Sequence, residues 1–237
     1  MDLKKVLTYR EATSTNMSNV IGEMKNILTE QQQRMPMRRF RLTATYNEFR
    51  EMLTLSAQYI LQQQGKKCRF IIDSNNEATI EQLYLYLSHD SKFCGDLNRG
   101  VMLQGKYGCG KTLLMQSYAH LQNHLIHRFE IHVPLVTFKS SIEIVAEIRA
   151  KGVVPLAKRE LLIDEFGREP KSVMDFGNTI RPMAELVSAR AESGAITHAT
   201  SNFTLERLSG DDFYGAMVGD RLRAMFNFIR MEGDSRR

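Results

Sequence analysis

GKYGCGKT, residues 105–112, stands between the apolar run VML (101–103) and KTLLMQSYAHLQNHL (111–125), and that order of strand, glycine loop and helix decides the fold. The spacing Gly105, four residues, Gly110, Lys111, Thr112 satisfies the phosphate-loop pattern position by position. Glycines let the backbone come close to an anion, and successive N–H groups at the positive end of a helix converge on phosphate oxygens. Gly105, Lys106, Tyr107, Gly108, Cys109, Gly110, Lys111, Thr112 and Leu113 are therefore the candidate nucleotide contacts. Lys111 is placed to reach the outer phosphates of ATP, and the Thr112 hydroxyl to hold a Mg2+ ion bridging them.

Two later segments supply what a hydrolytic site needs. LLIDE (161–165) is a buried strand ending in adjacent carboxylates, at the edge where open α/β sheets bind ligands. Asp164 is the expected metal partner, and Glu165 the group that orients and polarises an attacking water. AITHATSNF (195–203) is a further strand ending in Thr200, Ser201 and Asn202, with Asn202 the candidate for positioning water. RFIID (69–73) looks similar but precedes the loop and lacks the second acid, so it reads as a strand end.

Working outward, short apolar strands alternate with helices from residue 67 onward, which predicts an α/β domain with a mainly parallel sheet flanked by helices. Strands are expected at 68–73, 101–105, within 130–138, and at 160–167, 195–203 and 225–231. Helices are expected at 78–90, after the glycine loop, at 141–150, from Asp175 to Glu192, and near 214–223. Upstream, 16–35 and 46–64 read as helices too polar to form a large core, giving a helical N-terminal module over 1–66 that docks a partner or DNA. Residues 67–237 form the nucleotide domain.

Composition sets limits on partners. The chain has 237 residues with 43% apolar and 25% charged side chains, ordinary for a globular protein. No apolar run approaches a membrane span, and MDLKKVLTYREATSTNM lacks the apolar segment of a secretory signal; a cytoplasmic protein without membrane contact is expected. Cys68, Cys94 and Cys109 fit neither a disulfide framework nor a zinc site. Much of the net charge of +5 lies early, and RMPMRRFR (34–41) sets four arginines around Phe40. That stretch is either a phosphate-contacting patch or a solvated linker.

Taken together, GKYGCGKT, LLIDEFG, LVSARAESG, AITHATSNF and the tail GDRLRAMFNFIRMEGDSRR resemble the DnaC/IstB family of AAA+ P-loop ATPases, over about residues 75–237. The resemblance implies a Walker A loop with Lys111 and Thr112, a Walker B pair of Asp164 and Glu165, Asn202 as first sensor and Arg221 as arginine finger. Such a finger reaches the ATP of a neighbouring subunit, so hydrolysis depends on an ATP-dependent oligomer. The family tail often ends Ser-Tyr-Arg; here it reads Asp234, Ser235, Arg236, Arg237, leaving the second sensor open between the two arginines. The resemblance further implies action on DNA, single-stranded DNA included, with either a replicative helicase or a transposase as client. A small-molecule phosphoryl-transferase would explain Lys111 and Asp164 but gives no reason for Asn202 and Arg221, and a binding-only module gives Glu165 no task.

Overall fold

The computed structural model describes residues 19–26, 39–175, 177–233 and 235. The chain divides into two units, Met1–Arg39 and Phe40–Arg237. In the first, residues 19–26 are helical (α1), with Val20, Ile21 and Met24 exposed. The remainder of the helix expected over 16–35, and Arg34 and Arg38 of the basic stretch, lie outside the described residues.

The second unit runs α2 (Tyr46–Gln63), α3 (Glu77–Leu87), β1 (Gly100–Gln104), α4 (Lys111–Arg128), β2 (Thr137–Ser140) and α5 (Ser141–Lys151). After a 3-10 turn come β3 (Leu161–Asp164), β4 (Val173–Asp175), β5 (Asn178–Ile180), α6 (Pro182–Ser193), β6 (Thr197–Ser201), α7 (Leu205–Leu208), α8 (Ala216–Met225) and β7 (Phe226–Arg230). The five-stranded sheet has the order β2-β3-β6-β1-β7, and every pairing in it is parallel. Parallel neighbours need long crossovers, which the helices supply.

Strand alternation sorts the core onto both faces of this sheet. Val101, Leu103 and Leu162 join Leu53, Leu83, Leu114 and Tyr118 on the face covered by α2, α3 and α4. Met102, Leu161 and Ile163 point the other way, toward Ile144, Leu186 and Leu222 of α5, α6 and α8. Burial on both sides explains why these strands are continuous apolar runs.

Several expected boundaries move. The helix 46–64, assigned on sequence to an N-terminal module ending at 66, belongs to the unit that begins at Phe40. α2 starts in a capping box between Thr45 and Glu48, and buries Phe49, Leu53, Ala57, Ile60 and Leu61. Phe40 itself is 5% exposed, an anchor in the core at the end of the basic stretch, and Arg41 Nε donates to the Ser88 carbonyl at 3.0 Å. Residues 68–73 join no sheet. There the Asn76 side chain takes the ladder's place, donating to Ile71 O and accepting from Asp73 N–H, both at 2.9 Å. The helix expected from Asp175 is a hairpin, β4 paired antiparallel with β5, followed by α6. Gly177 (φ 87) makes the turn and Pro182 fixes the first turn of α6, so two local signals outweigh the apolar periodicity. β2 begins only at Thr137, because Asn123 holds the Val136 N–H and C=O, both at 2.9 Å.

Candidate active site

β6 lies between β3 and β1, so the parallel sheet brings the C-terminal ends of three strands side by side. The glycine loop leaves β1, the two carboxylates leave β3 and Asn202 leaves β6. The geometry is then closed by side chains. Gly110 (φ 102) makes the bend into α4, directing the helix N-terminus at the loop's concavity. A Cβ on Gly105 would stand 2.2 Å from the Met231 carbonyl, so only glycine lets β7's exit pass there.

Lys111 is 6% exposed. Its Nζ donates to the carbonyls of Gly105 (2.8 Å) and Lys106 (2.7 Å) and to Asn202 Oδ1 (2.8 Å). Burial pushes its pKa below the ordinary lysine value, while Cys109, Asp164 and Glu165 act in the opposite direction. Thr112 Oγ1 donates to Asp164 Oδ1 at 2.8 Å, and Thr200 Oγ1 donates to the same oxygen at 2.6 Å. A hydroxyl and a carboxylate side by side are hard oxygen donors that suit Mg2+, which keeps several waters and is completed by phosphate oxygens. The residues present therefore fit the ion.

Glu165 adopts φ 55, a left-handed conformation uncommon outside glycine. Its N–H donates to Thr200 Oγ1 at 2.9 Å, and its carbonyl accepts from Ser141 Oγ at 3.0 Å. Thr200 thus ties both carboxylate residues to β6. On sequence it appears only as one of three polar residues at a strand end. Its hydroxyl has this task because β6 and β3 are neighbours, which the sequence order does not reveal.

A cavity of about 690 Å³ opens over the loop, lined by Tyr107 through Leu113, Asp164, Glu165, Thr200 and Asn202. Gly105 and Lys106 do not line it; they contribute carbonyls to Lys111. Cys109 lines the cavity but is fully buried, its sulfur 4.0 Å from the Met231 carbonyl. A further wall is formed by Lys66 and Cys68 through Ile71 of the irregular segment, with Leu61 of α2. Sequence reasoning missed this wall, having taken the segment for a strand. A Cβ on Gly108 would meet Ser235 Oγ at 2.5 Å, so the tail passes over the loop. Arg236 and Arg237 lie outside the described residues.

Arg221 is not brought to this cavity. On α8 it donates through Nη1 to Ser188 Oγ of α6, and its Nη2 is 3.6 Å from Glu192 Oε1. Among the described residues no helix is long and apolar enough to cross a membrane.

No family model and no curated protein matches the sequence. Solved structures do match the fold. A primosome component from Streptococcus pyogenes serotype M3, described as putative in its own report, superposes with TM-score 0.51 at 20% identity, covering 70% of this chain and 86% of that one. DnaI superposes with TM-score 0.51 at 20% identity over 79% of this chain and 93% of its own. The DnaC helicase loader gives 0.51 at 16% identity over 69% and 93%. The chain accordingly shares the α/β fold of these structures, a mainly parallel sheet flanked by helices.

Proposed function

We propose that this protein is a Mg2+-dependent ATPase whose nucleotide state governs its assembly on DNA and the delivery of a replicative helicase. The observation that carries the reading is the junction of Lys111 with Asn202 and of Thr112 with Asp164, which gathers the phosphate loop and two strand ends at one cavity. A phosphoryl group needs little covalent help; positioning and charge stabilisation do most of the work. Lys111 would exchange its loop carbonyls for the outer phosphate oxygens. Thr112 and Asp164 would hold the ion, which would neutralise charge developing on the phosphates. Glu165 would orient the attacking water and accept its proton, with Asn202 fixing the water's position.

Arg221 points to the neighbour. Held by Ser188 and paired with Glu192 away from its own cavity, it is a partly exposed cation that a second copy could meet. An arginine supplied in trans raises phosphoryl-transfer rates by about 10³–10⁵, so turnover by the isolated chain is slow and rises with assembly. The helicase as client is supported by the fold shared with the DnaC helicase loader. The N-terminal residues would serve as the docking module.

Glu165→Gln tests the reading. The variant is expected to bind ATP, hydrolyse it at least tenfold more slowly, and trap an assembly from which crosslinking recovers a ring helicase. Normal hydrolysis by the variant would remove Glu165 from the mechanism, and recovery of a transposase would replace the client.

A further inference from the structure

The main chain of Glu165 is pinned from three directions. Its N–H is held by Thr200, its carbonyl accepts from Ser141 Oγ, and the same carbonyl accepts from the Arg168 N–H at 3.0 Å. With the backbone fixed, only the side-chain torsions decide where the carboxylate points. The turn from 165 to 168 settles this: Arg168 Nη1 donates to Glu165 Oε2, forming an ion pair. Among the described residues no other cation is paired with Glu165, and the Arg168 guanidinium makes no other hydrogen bond. The Arg168 side chain is 57% exposed against 24% for Glu165, so the arginine contributes nothing to the core, and its guanidinium meets the carboxylate of a residue that lines the cavity. Pairing with Glu165 raises the Arg168 pKa, with Tyr107 of the loop and Asp164 adding in the same direction. The arginine therefore carries its charge throughout the working pH range.

The geometry points to Arg168 as a positioning residue that restrains the Glu165 carboxylate, holding one oxygen and one rotamer with nucleotide bound as well as without it. This rests on Glu165 being the group that orients water. The restraint is graded, because an exposed ion pair holds by a small margin, equivalent to a factor of about three to five in rate. It would keep basal turnover low in a chain whose site awaits a neighbour's arginine.

The experiment measures phosphate release by the full chain at saturating ATP and low protein concentration. It compares wild type, Arg168→Ala, Arg168→Lys, Glu165→Gln and the Arg168→Ala/Glu165→Gln double variant. Arg168→Ala is expected to raise kcat about threefold to fivefold with KM little changed. Arg168→Lys keeps the charge but loses the planar fork, and falls between wild type and Arg168→Ala. In the Glu165→Gln background the Arg168→Ala gain disappears. An unchanged or lower kcat for Arg168→Ala overturns the inference, as does a gain that survives in the double variant. If Glu165→Gln itself hydrolyses normally, the failure lies in the proposed function and not in the restraint alone.

Discussion

Lys111 shows how a single residue can be poised by what it touches. Three oxygens, from Gly105, Lys106 and Asn202, solvate a buried ammonium that would otherwise be too costly to keep charged. Lys111→Ala is expected to weaken ATP binding at least tenfold, since charge-assisted hydrogen bonds are worth about 1.5–3 kcal/mol; titration with a fluorescent nucleotide measures it. Thr200→Val keeps the shape but leaves the Glu165 N–H without its acceptor and Asp164 with the Thr112 hydroxyl but not the Thr200 hydroxyl as donor. A loss of about 1–3 kcal/mol in denaturant unfolding is expected, with slower turnover. Glu169 supplies a pH signature. Its carboxyl accepts from the Gly167 N–H at 2.9 Å and bonds the Tyr214 hydroxyl, and burial raises its pKa above the ordinary 4.5. The folded state holds this proton more tightly than the unfolded state does. Its contribution is therefore full below pH 4.5 and is lost as pH rises through the folded value. Glu169→Gln should flatten that part of the melting-temperature profile between acid and neutral pH.

At the scale of elements, Ser140 performs two tasks because β2 runs into α5 without a loop. It is the last residue of β2, and its hydroxyl caps α5 by accepting from the Glu143 N–H at 3.2 Å. Glu143 Oε2 in turn accepts from the Ser140 hydroxyl and from the Ser140 N–H, both at 2.7 Å, and these two bonds lower its pKa. Ser140→Ala should cost about 1 kcal/mol and lower the melting temperature by roughly 2–4 °C, read by calorimetry. The β4–β5 hairpin is the contrasting case. Its described residues add nothing to the core: Met174 is 62% exposed and Asn178 and Thr179 are exposed. Apolar periodicity could not predict it, since a short exposed hairpin is set by its glycine turn rather than by a buried face.

For the whole molecule, the separation of Arg221 from its own cavity is the decisive arrangement. Arg221→Ala should leave ATP binding by the isolated chain intact while reducing assembly-stimulated turnover by a factor of about a thousand or more. Plotting ATPase rate against protein concentration checks this, and the variant's rate should stay flat. On the proposed function, binding to single-stranded DNA would rest on phosphate contacts, and affinity should then fall steeply between low and moderate salt.

The sequence by itself determined which polar residues follow which apolar strands, and their order along the chain. A glycine loop after an apolar strand, a carboxylate pair after a second and an asparagine after a third are local patterns, and spacing within one segment is enough to recognise them. The two-faced core was legible for the same reason, because continuous apolar strands have no other way to be buried. Only the tertiary structure decided which strands are neighbours. Inserting β6 between β3 and β1 makes Thr200 a bridge and brings Asn202 to Lys111 across 91 positions of sequence. Packing α2 against α4 made a helix that reads on sequence as part of an outlying module a contributor, through Leu61, to the wall of the cavity. GKYGCGKT fits the phosphate-loop pattern within one segment, but the cavity's further wall, its bridging threonine and the distant arginine come from contacts that sequence separation conceals.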